Sequence, residues 1–293
     1  YGPRRFRISF DEQLRPYVTG DDGKIRKTLP KPGAKDDPDL APAAHQWFAA
    51  LKKDVRTAAS DQIHRLEWAM VSGPRTWTPA EFHTYIAGHP LLRHLARRLV
   101  WQSYEHFFRI AEDGTLADVH DDTFTLPEDA LVWIPHPLRL REAGALTAWT
   151  ELFADYEILQ PFPQLGRPIY ELTEEERAAS HLTRFNGAKM PTGKVQGLTR
   201  YGWERGPAQD GGVAHEMTLP FHGNAGSGWI VLDLDPGIAV GAIDVLPEQT
   251  IRNVTIGPRR YTTRPDDEAL TFGTLHPIAA SEILAQLTDL TTN

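Results

Sequence analysis

The stretch LFADYEILQPFPQLGRPIYEL, residues 152–172, constrains this chain more tightly than any other. Its prolines, at positions 161, 163 and 168, each fix φ and remove a backbone N–H, so the segment can be neither a regular helix nor a central strand. An extended, rigid backbone that carries this many apolar side chains has to lie against a hydrophobic core. We call residues 152–172 the strap. Its side chains Phe153, Tyr156, Ile158, Leu159 and Phe162 are too apolar for an exposed loop, so we predict that the strap is folded rigidly into the core, with at least Ile158 and Phe162 poorly exposed.

The polar groups of the strap allow two interpretations. Asp155 and Glu157 form a carboxylate pair that could perform general acid–base chemistry if one of them were desolvated. Alternatively, Arg167 holds Asp155 or Glu157 in a structural ion pair that locks the strap. The structural ion pair is the preferred interpretation.

Upstream of the strap, the spacing of apolar residues predicts helices. Apolar residues recur every three to five positions from Ala41 to Val71, which is typical of one long amphipathic helix, and the Gly-Pro pair at 73–74 ends it. Thr78-Pro-Ala-Glu81 is a capping box with proline at the first helical position. A further helix is predicted over residues 90–107.

Two residues of that helix are candidates for ligand binding. Arg97 and Trp101 are four positions apart and share one stripe with Arg93, so Arg97 could stack on the indole and clamp a phosphate or carboxylate. The preferred interpretation is a solvated helix face, or an arginine that pairs with the acidic segment downstream.

Charge is distributed unevenly along the chain. Residues 1–35 contain nine basic and four acidic side chains, a net charge of +5, whereas residues 112–129 contain seven acids without Lys or Arg, a net charge of −7. Like charges at this density repel one another, so we expect residues 112–129 to lie near a basic surface of this chain or of its partner. The candidates are Arg97–Arg98, Arg139–Arg141 and the N-terminal arm.

Downstream of the strap, the pattern changes from helical to β-rich. Thr173-Glu-Glu-Glu176 is a second capping box, which opens a helix closing near Gly187, and a weaker helix follows. Alternating apolar residues then predict strands, and a last helix ends the chain. These elements are the weaker helix at 195–201, strands at 213–221, 228–235, 250–256 and 270–275, and the terminal helix at 277–290.

These elements predict an α+β fold, in which a helical N-terminal half packs on a mixed or antiparallel β-rich C-terminal half with a terminal helix. We expect a basic N-terminal arm and linker at 1–38, followed by a single α+β domain at 39–293. Within that domain, residues 39–107 are helical, residues 108–212 are mixed, and residues 213–293 are β-rich.

Composition bounds the function. The 293 residues are 41% hydrophobic with eight tryptophans, which is enough for a sizeable core. The absence of cysteine excludes disulfides, thiolate metal sites and a cysteine nucleophile, and it fits a reducing cytoplasm. No apolar run is long enough to span a membrane.

Because the sequence begins at Tyr1, we expect a piece of a longer protein. The net charge of −8 does not indicate a nucleic-acid partner, although nucleic acid stays an alternative partner.

A second candidate site lies in YGWERG, residues 201–206, and the Asp-Gly-Gly at 210–212. Glycines there permit close backbone approach to a ligand, and Trp203 could stack on a ring beside Arg205 and Asp210. The preferred interpretation gives the glycines a turn role and the tryptophan a core role.

Familiar catalytic motifs do not occur. The Thr-Gly-Lys at 192–194 lacks the remainder of a phosphate-binding loop, and no G-x-S-x-G is present. His181, His215 and His222 lack the spacing of a metal site. We therefore predict no metal and no cofactor, and we assign no catalytic residue.

Several blocks of the sequence, taken together, resemble the MolR-like domain of unknown function, which occurs toward the C-terminal end of large bacterial proteins, many with WGR domains or helical repeats. The resemblance covers about residues 45–212. It implies a bacterial cytoplasmic protein with a multidomain parent and hints at nucleic-acid or stress functions, without carrying over any catalytic residue. Its blocks are LKKDV at 51–55, IHRLEWAM at 63–70, HPLL at 89–92, LARRLVW at 95–101, FRIAEDGT at 108–115, HPL at 136–138, the strap to Arg167, GWERG at 202–206 and DGG at 210–212.

These observations favour a regulatory or docking module of a larger bacterial protein, whose partner is another protein or the rest of the parent chain. The alternative is an enzyme or a ligand sensor with an arginine-lined anion or nucleotide pocket. For that alternative we predict that Arg97, Arg167 and Arg205 converge on one pocket, because each lies beside an aromatic residue or a rigid turn. Three guanidinium groups would need neutralisation by a ligand or by carboxylates such as Asp155 and Asp210.

Overall fold

The computed structural model describes residues 1–11, 14–72, 75–209, 211–223, 226–260 and 270–292. The chain forms two compact units, residues 1–167 and 168–293. Helices dominate the first unit, and a five-stranded antiparallel sheet with a terminal helix dominates the second. The predicted α+β class is therefore confirmed. The boundary at residue 38 and the single domain 39–293 stay predictions.

The first unit is built along one long helix, α1 (Leu40–Val71). Its bounds agree with the predicted helix over 41–71, because one face carries apolar side chains at helical spacing. The buried residues of α1 are Ala41, Phe48, Val55, Ala59, Leu66, Ala69 and Met70. At the C-terminus, the backbone N–H of Ser72 donates to the Trp68 carbonyl; residues 73–74, the predicted stop, lie outside the described residues.

The N-terminal arm is a small antiparallel sheet. Its strands are β1 (Phe6–Phe10), β2 (Pro16–Gly20) and β3 (Ile25–Arg26), with β2 in the middle. Val18 of this sheet and Leu29 of the following segment are buried with Phe48 of α1. Two apolar anchors therefore hold the arm against the long helix.

The centre of the first unit departs from the predicted helices. The capping box forms at α2 (Pro79–Glu81) and leads into a wider helical turn over Phe82–Ala87. However, α3 (Leu92–Ala96) ends well before residue 107, so the predicted helix over 90–107 is wrong beyond residue 96. The chain instead forms an antiparallel sheet of β4 (Trp101–Ser103), β5 (His106–Ile110) and β6 (Leu116–Ala117). Strand pairing of Trp101 with Phe108 in the core outweighs the local helical spacing.

Two further helices follow in the first unit: α4 (Pro137–Glu142) and α5 (Leu146–Asp155). The last four residues of α5 are the first four of the strap, so the strap is helical at its start and irregular only beyond it. Trp149 and Phe153 of α5 are buried in a cluster with Val100 and Leu140. Within this unit the strap buries Phe162, which is 5% exposed as predicted, and Ile158 is half-buried. Tyr156 and Leu159 are 53% and 64% exposed, so the predicted burial is wrong for these two residues.

A buried glutamine fixes the strap. The Gln164 amide donates to the carbonyl oxygens of Val100 (2.9 Å) and Pro135 (3.0 Å), and its Oε1 accepts from the Val100 N–H (2.9 Å). Its side chain is fully buried. The glutamine thus satisfies three buried backbone groups, two of which are carbonyls to which the prolines of the strap, lacking an N–H, could not donate.

The sheet of the second unit has the order β7-β11-β10-β9-β8. All pairings are antiparallel, and the long central hairpin agrees with the predicted strands at 213–221, 228–235 and 250–256. The strands are β7 (Lys189–Pro191), β8 (Glu204–Arg205), β9 (Val213–Gly223), β10 (Gly226–Ala239) and β11 (Glu248–Gly257).

Helices flank this sheet in the chain. The second capping box opens α6 (Glu174–Ala178), which ends well short of Gly187; α7 (Thr192–Gly197) continues as a 3₁₀ turn over Leu198–Tyr201. The predicted strand over 270–275 is wrong, because residues 272–274 form a 3₁₀ turn. The terminal helix α8 (Pro277–Thr291) forms as predicted and buries Ile283, Leu284 and Leu287.

Candidate functional site

The strap arginine is engaged in an ion pair, but with an unexpected partner. Arg167 donates from Nη1 to Glu67 Oε1 of α1 at 2.7 Å, and both side chains are largely buried. Asp155 ends α5, and both Asp155 and Glu157 are exposed. The predicted lock therefore forms, whereas its predicted partners, Asp155 and Glu157, are wrong: the carboxylate comes from a residue 100 positions away in the chain.

A cluster that the sequence did not indicate includes Tyr156 of the strap. The Tyr156 hydroxyl donates to Asp121 Oδ2 (2.6 Å), and Arg109 Nη2 donates to Oδ1 of the same carboxylate (2.5 Å). The Arg109 guanidinium also lies 4.9 Å from the Tyr156 ring centroid. The Tyr156 hydrogen bond and Arg109 lower the pKa of Asp121, and Asp121 raises the pKa of Tyr156. This cluster ties residues 112–129 to the end of α5.

The acidic residues 112–129 do have arginines beside them. Arg109 neutralises Asp121, although Arg109 was not among the predicted candidates. Arg97 was among the predicted candidates. Hydrogen bonds from Thr115 are the main cause that lowers the pKa of Asp113, and the positive charge of Arg97 lowers this pKa further. A basic neighbour is thus observed for Asp121, whereas a basic surface formed by the predicted arginines stays a prediction.

An apolar cavity opens at the surface next to this cluster. It has a volume of about 620 Å³. Tyr156 is 53% exposed and Leu159 is 64% exposed, and Arg98 Nη1 holds the Leu159 carbonyl at 3.1 Å. We call this surface the strap notch. Its lining residues are Phe153, Ala154, Tyr156, Glu157, Ile158 and Leu159.

The predicted stacking of Arg97 on Trp101 required both residues to lie on one helix, and in the structure they do not. Trp101 lies in β4 and is fully buried; its indole N–H donates to the Ala96 carbonyl (2.8 Å), and its ring packs edge-on against Trp77 and Phe82. Arg97 follows the end of α3, and its Nε is buried without a hydrogen-bond partner. Trp101 is therefore a core residue.

In the second unit, Trp203 is also a core residue, as preferred from the sequence. It is 1% exposed, and its indole N–H donates to Gln286 Oε1 of α8 at 2.8 Å. Gly202 before it has φ +89°, a left-handed conformation that ends the 3₁₀ turn and that glycine adopts without strain. These two residues set the direction of β8, which begins at the next position.

Arg205 of β8 is exposed and lines an open cavity of about 880 Å³. We call it the β8 cleft. Arg205 and Asp244 bring opposite charges to its wall, and neither side chain makes an ion pair or hydrogen bond to another described residue. Asp210 lies outside the described residues. The lining residues are Gln196, Thr199, Arg205, Gly206, Met217, Ile238, Gly241, Ala242 and Asp244.

The seven sequence-derived candidates thus fall into different settings. Arg97, Trp101, Asp155 and Arg167 belong to the first unit, and Trp203 and Arg205 to the second. The pocket shared by Arg97, Arg167 and Arg205 stays a prediction. In the described parts of the chain, no three His, Asp or Glu side chains are grouped as metal ligands would be. None of the described helices combines the length and apolar character of a membrane span.

Comparison with known proteins places the chain among bacterial relatives. It is 32% identical over 293 residues to the uncharacterised protein YehI of Escherichia coli K12, an alignment that covers 97% of the chain and 23% of the relative. The chain therefore spans about a quarter of the length of this relative. No solved structure matches. Residues 23–203, well over half of the chain, match the model of a domain of unknown function, DUF4132. The chain belongs to the DUF4132 family.

Proposed function

We propose that the chain is a regulatory docking module of a larger bacterial protein, and that it binds a basic polypeptide segment at the strap notch and the neighbouring acidic residues 112–129. The observation that carries this proposal is the hydrogen bond between Tyr156 and Asp121. It joins an exposed apolar cavity to the most acidic stretch of the chain, so one ligand can use both.

The apolar part of this surface supports an aliphatic anchor. Tyr156 and Leu159 expose more than half of their surface in a cavity backed by the buried Phe153. Exposed apolar side chains that line one concavity are typical of interaction sites, whereas scattered ones are not. A leucine or similar side chain would bury this surface on binding.

The charged part supports a basic partner. Six of the seven acids in 112–129 form no ion pair with a described residue, since Arg109 binds Asp121 alone. Lysine or arginine side chains of a partner would relieve their repulsion, whereas nucleic-acid phosphates would increase it. A basic polypeptide therefore suits this surface better than nucleic acid.

The larger setting is part of the same proposal. The relative in Escherichia coli is about four times as long as the chain, which supports a multidomain parent that supplies the basic segment. The finer relationship to MolR-like domains rests on the blocks within residues 45–212, and a cytoplasmic location rests on the absence of cysteine.

The test uses a synthetic peptide of four lysines around one leucine, with its binding to the 293-residue chain measured by fluorescence anisotropy. Leu159→Asp should weaken binding at least about tenfold, because a buried leucine contributes roughly 1.5–3 kcal/mol. Glu112→Gln combined with Asp122→Asn should weaken binding and flatten its salt dependence. Leu40→Asp is the matched control, since Leu40 is 60% exposed on α1. Equal binding by Leu159→Asp and Leu40→Asp would rule out the strap notch.

As the alternative, we propose a ligand sensor with an anion site in the second unit. The observation that favours it is the position of Arg205, whose guanidinium faces the β8 cleft without a described partner. This site does not depend on the strap notch.

A further inference from the structure

We propose that the β8 cleft binds a small zwitterion of the dipeptide class, with the carboxylate held by Arg205 and the amine held by Asp244. This inference rests on the ligand-sensor alternative and names its ligand. Two opposite charges, on Arg205 and Asp244, share the cleft.

The β-ladder directs Arg205 into the cleft. Residues 204 and 205 pair with Thr218 and Met217 of β9, and successive side chains of a strand point to opposite faces. Glu204 therefore points away from Arg205, and it forms an ion pair with Arg260, which in turn lies 5.0 Å from the Trp229 ring centroid. The carboxylate nearest in sequence is thus engaged on the other face.

The opposite charge comes from the loop between β10 and β11. Asp244 lies in a 3₁₀ turn over Ile243–Val245 and lines the same cleft as Arg205. The two residues do not form an ion pair with each other, so their charged atoms lie farther apart than ion-pair distance across the cleft. A ligand with only anionic groups would be repelled by Asp244, and a purely cationic one by Arg205. A zwitterion that spans the gap satisfies both.

The rest of the lining suits a peptide group between the two charges. Gln196 and Thr199 bring a side-chain amide and a hydroxyl to the cleft. A Cβ at Gly206 would lie 3.2 Å from the Glu216 carbonyl oxygen, so a larger residue there would push β8 away from β9. The volume of about 880 Å³ lies within the range of small-molecule sites. An extended dipeptide spans roughly 7 Å between its termini.

The test is calorimetric titration of the 293-residue chain with alanyl-alanine, its N-acetylated form and its C-terminal amide. Removing either charge from the ligand should weaken binding about tenfold to hundredfold, the loss of one charge-assisted contact. In Arg205→Gln, the amide form should bind as well as the free dipeptide. In Asp244→Asn, the N-acetylated form should bind as well as the free dipeptide. Arg200→Gln, which alters an exposed arginine near Asp289 outside the cleft lining, should bind like the wild type.

Inorganic phosphate and ATP are titrated in parallel. Absence of heat with alanyl-alanine, together with phosphate or ATP binding that Arg205→Gln abolishes, would overturn the zwitterion and leave an anion sensor. Dipeptide binding that is unchanged in Arg205→Gln and Asp244→Asn would also overturn it. If no probe binds, both the zwitterion and the sensor are wrong, whereas the docking surface is unaffected.

Discussion

Two arginines beside rigid turns, Arg167 in the strap and Arg205 in β8, have contrasting environments. Arg167 is largely buried and donates to Glu67 at 2.7 Å, whereas Arg205 is exposed and faces a cleft without a described partner. In sequence the two looked equivalent, since each follows an aromatic or proline-rich turn. A rigid turn therefore aims a guanidinium group, but it does not determine whether the group serves structure or binding.

The difference lies in where the nearest carboxylates point. Around Arg167, Asp155 and Glu157 are exposed, and the guanidinium instead binds Glu67 of α1. Around Arg205, the adjacent Glu204 is turned to the other face by strand alternation and is engaged by Arg260. The following predictions test this contrast between a locked strap and an open cleft.

The largest effect is expected at Gln164, which holds the strap in place. Gln164→Met keeps the length of the side chain but leaves the Val100 N–H and C=O and the Pro135 C=O without partners. We expect a loss of about 3–5 kcal/mol in the free energy of unfolding, measured by urea denaturation. Gln46→Met, at an exposed position of α1, should change it by less than about 0.5 kcal/mol. Similar midpoints for both variants would mean that the strap is not locked.

A smaller loss is expected when the strap ion pair is broken. Arg167→Gln leaves Glu67 without its cation, and because Glu67 is 29% exposed it can recover some hydration. We expect a loss of about 1–2 kcal/mol in the free energy of unfolding. Arg139→Gln breaks an exposed pair with Glu142 and should cost less than about 0.5 kcal/mol. If Arg139→Gln lowers the free energy of unfolding as much as Arg167→Gln does, burial of the Arg167–Glu67 pair adds nothing to stability.

The Tyr156–Asp121 hydrogen bond predicts a pH-dependent effect. Because the folded pKa of Asp121 is lowered, its stabilisation is present above the usual aspartate pKa of about 3.9 and is lost as the pH falls through the folded value. The urea midpoints of wild type and Tyr156→Phe should therefore differ near pH 7 and converge in acid.

Tyr104→Phe provides the control for this pH dependence. The Tyr104 hydroxyl donates to the backbone carbonyl of Asp129 at 3.2 Å, and a carbonyl does not titrate. The difference between wild type and Tyr104→Phe should stay constant with pH. A constant difference for Tyr156→Phe as well would contradict the role of Asp121.

The smallest effect on stability is expected at Arg205. Arg205→Gln removes a guanidinium group that no described residue holds, so the free energy of unfolding should change by less than about 0.5 kcal/mol. Thermal denaturation alongside Arg167→Gln makes the comparison direct. A loss as large as that of Arg167→Gln would show that Arg205 is structural and would remove the contrast between the two turns.

Much of the fold could be predicted where local patterns and tertiary packing agree. The helix over 41–71, both capping boxes, the central hairpin of the second unit and the terminal helix all follow from apolar periodicity and cap residues. The predictions failed where the two disagree. Residues 97–107 have helical spacing, but Trp101 pairs with Phe108 in a buried strand, because burying two aromatic rings outweighs helix propensity.

The candidate sites were less predictable. The arginines were recognised as notable, but Glu67 could not be identified as the partner of Arg167, since 100 residues separate them. The contact between Asp121 and Tyr156 gave no signal in the sequence, since Asp121 stood out only as one acid of residues 112–129 and Tyr156 only as a residue of the strap. Asp244 was not singled out at all. Each of these pairings depends on which loops the fold brings together.

The sequence by itself determined which segments are helical by periodicity, where two helices are capped, and that the proline-rich strap must be packed against a core. These properties depend on neighbours within about two turns of the chain, so local chemistry is sufficient. Only the tertiary structure decided that Trp101 is a core residue, that Glu67 neutralises Arg167, and that Arg205 faces a cleft with Asp244. The physical reason is that burial and charge pairing depend on residues distant in sequence, whose positions are set by the packed core.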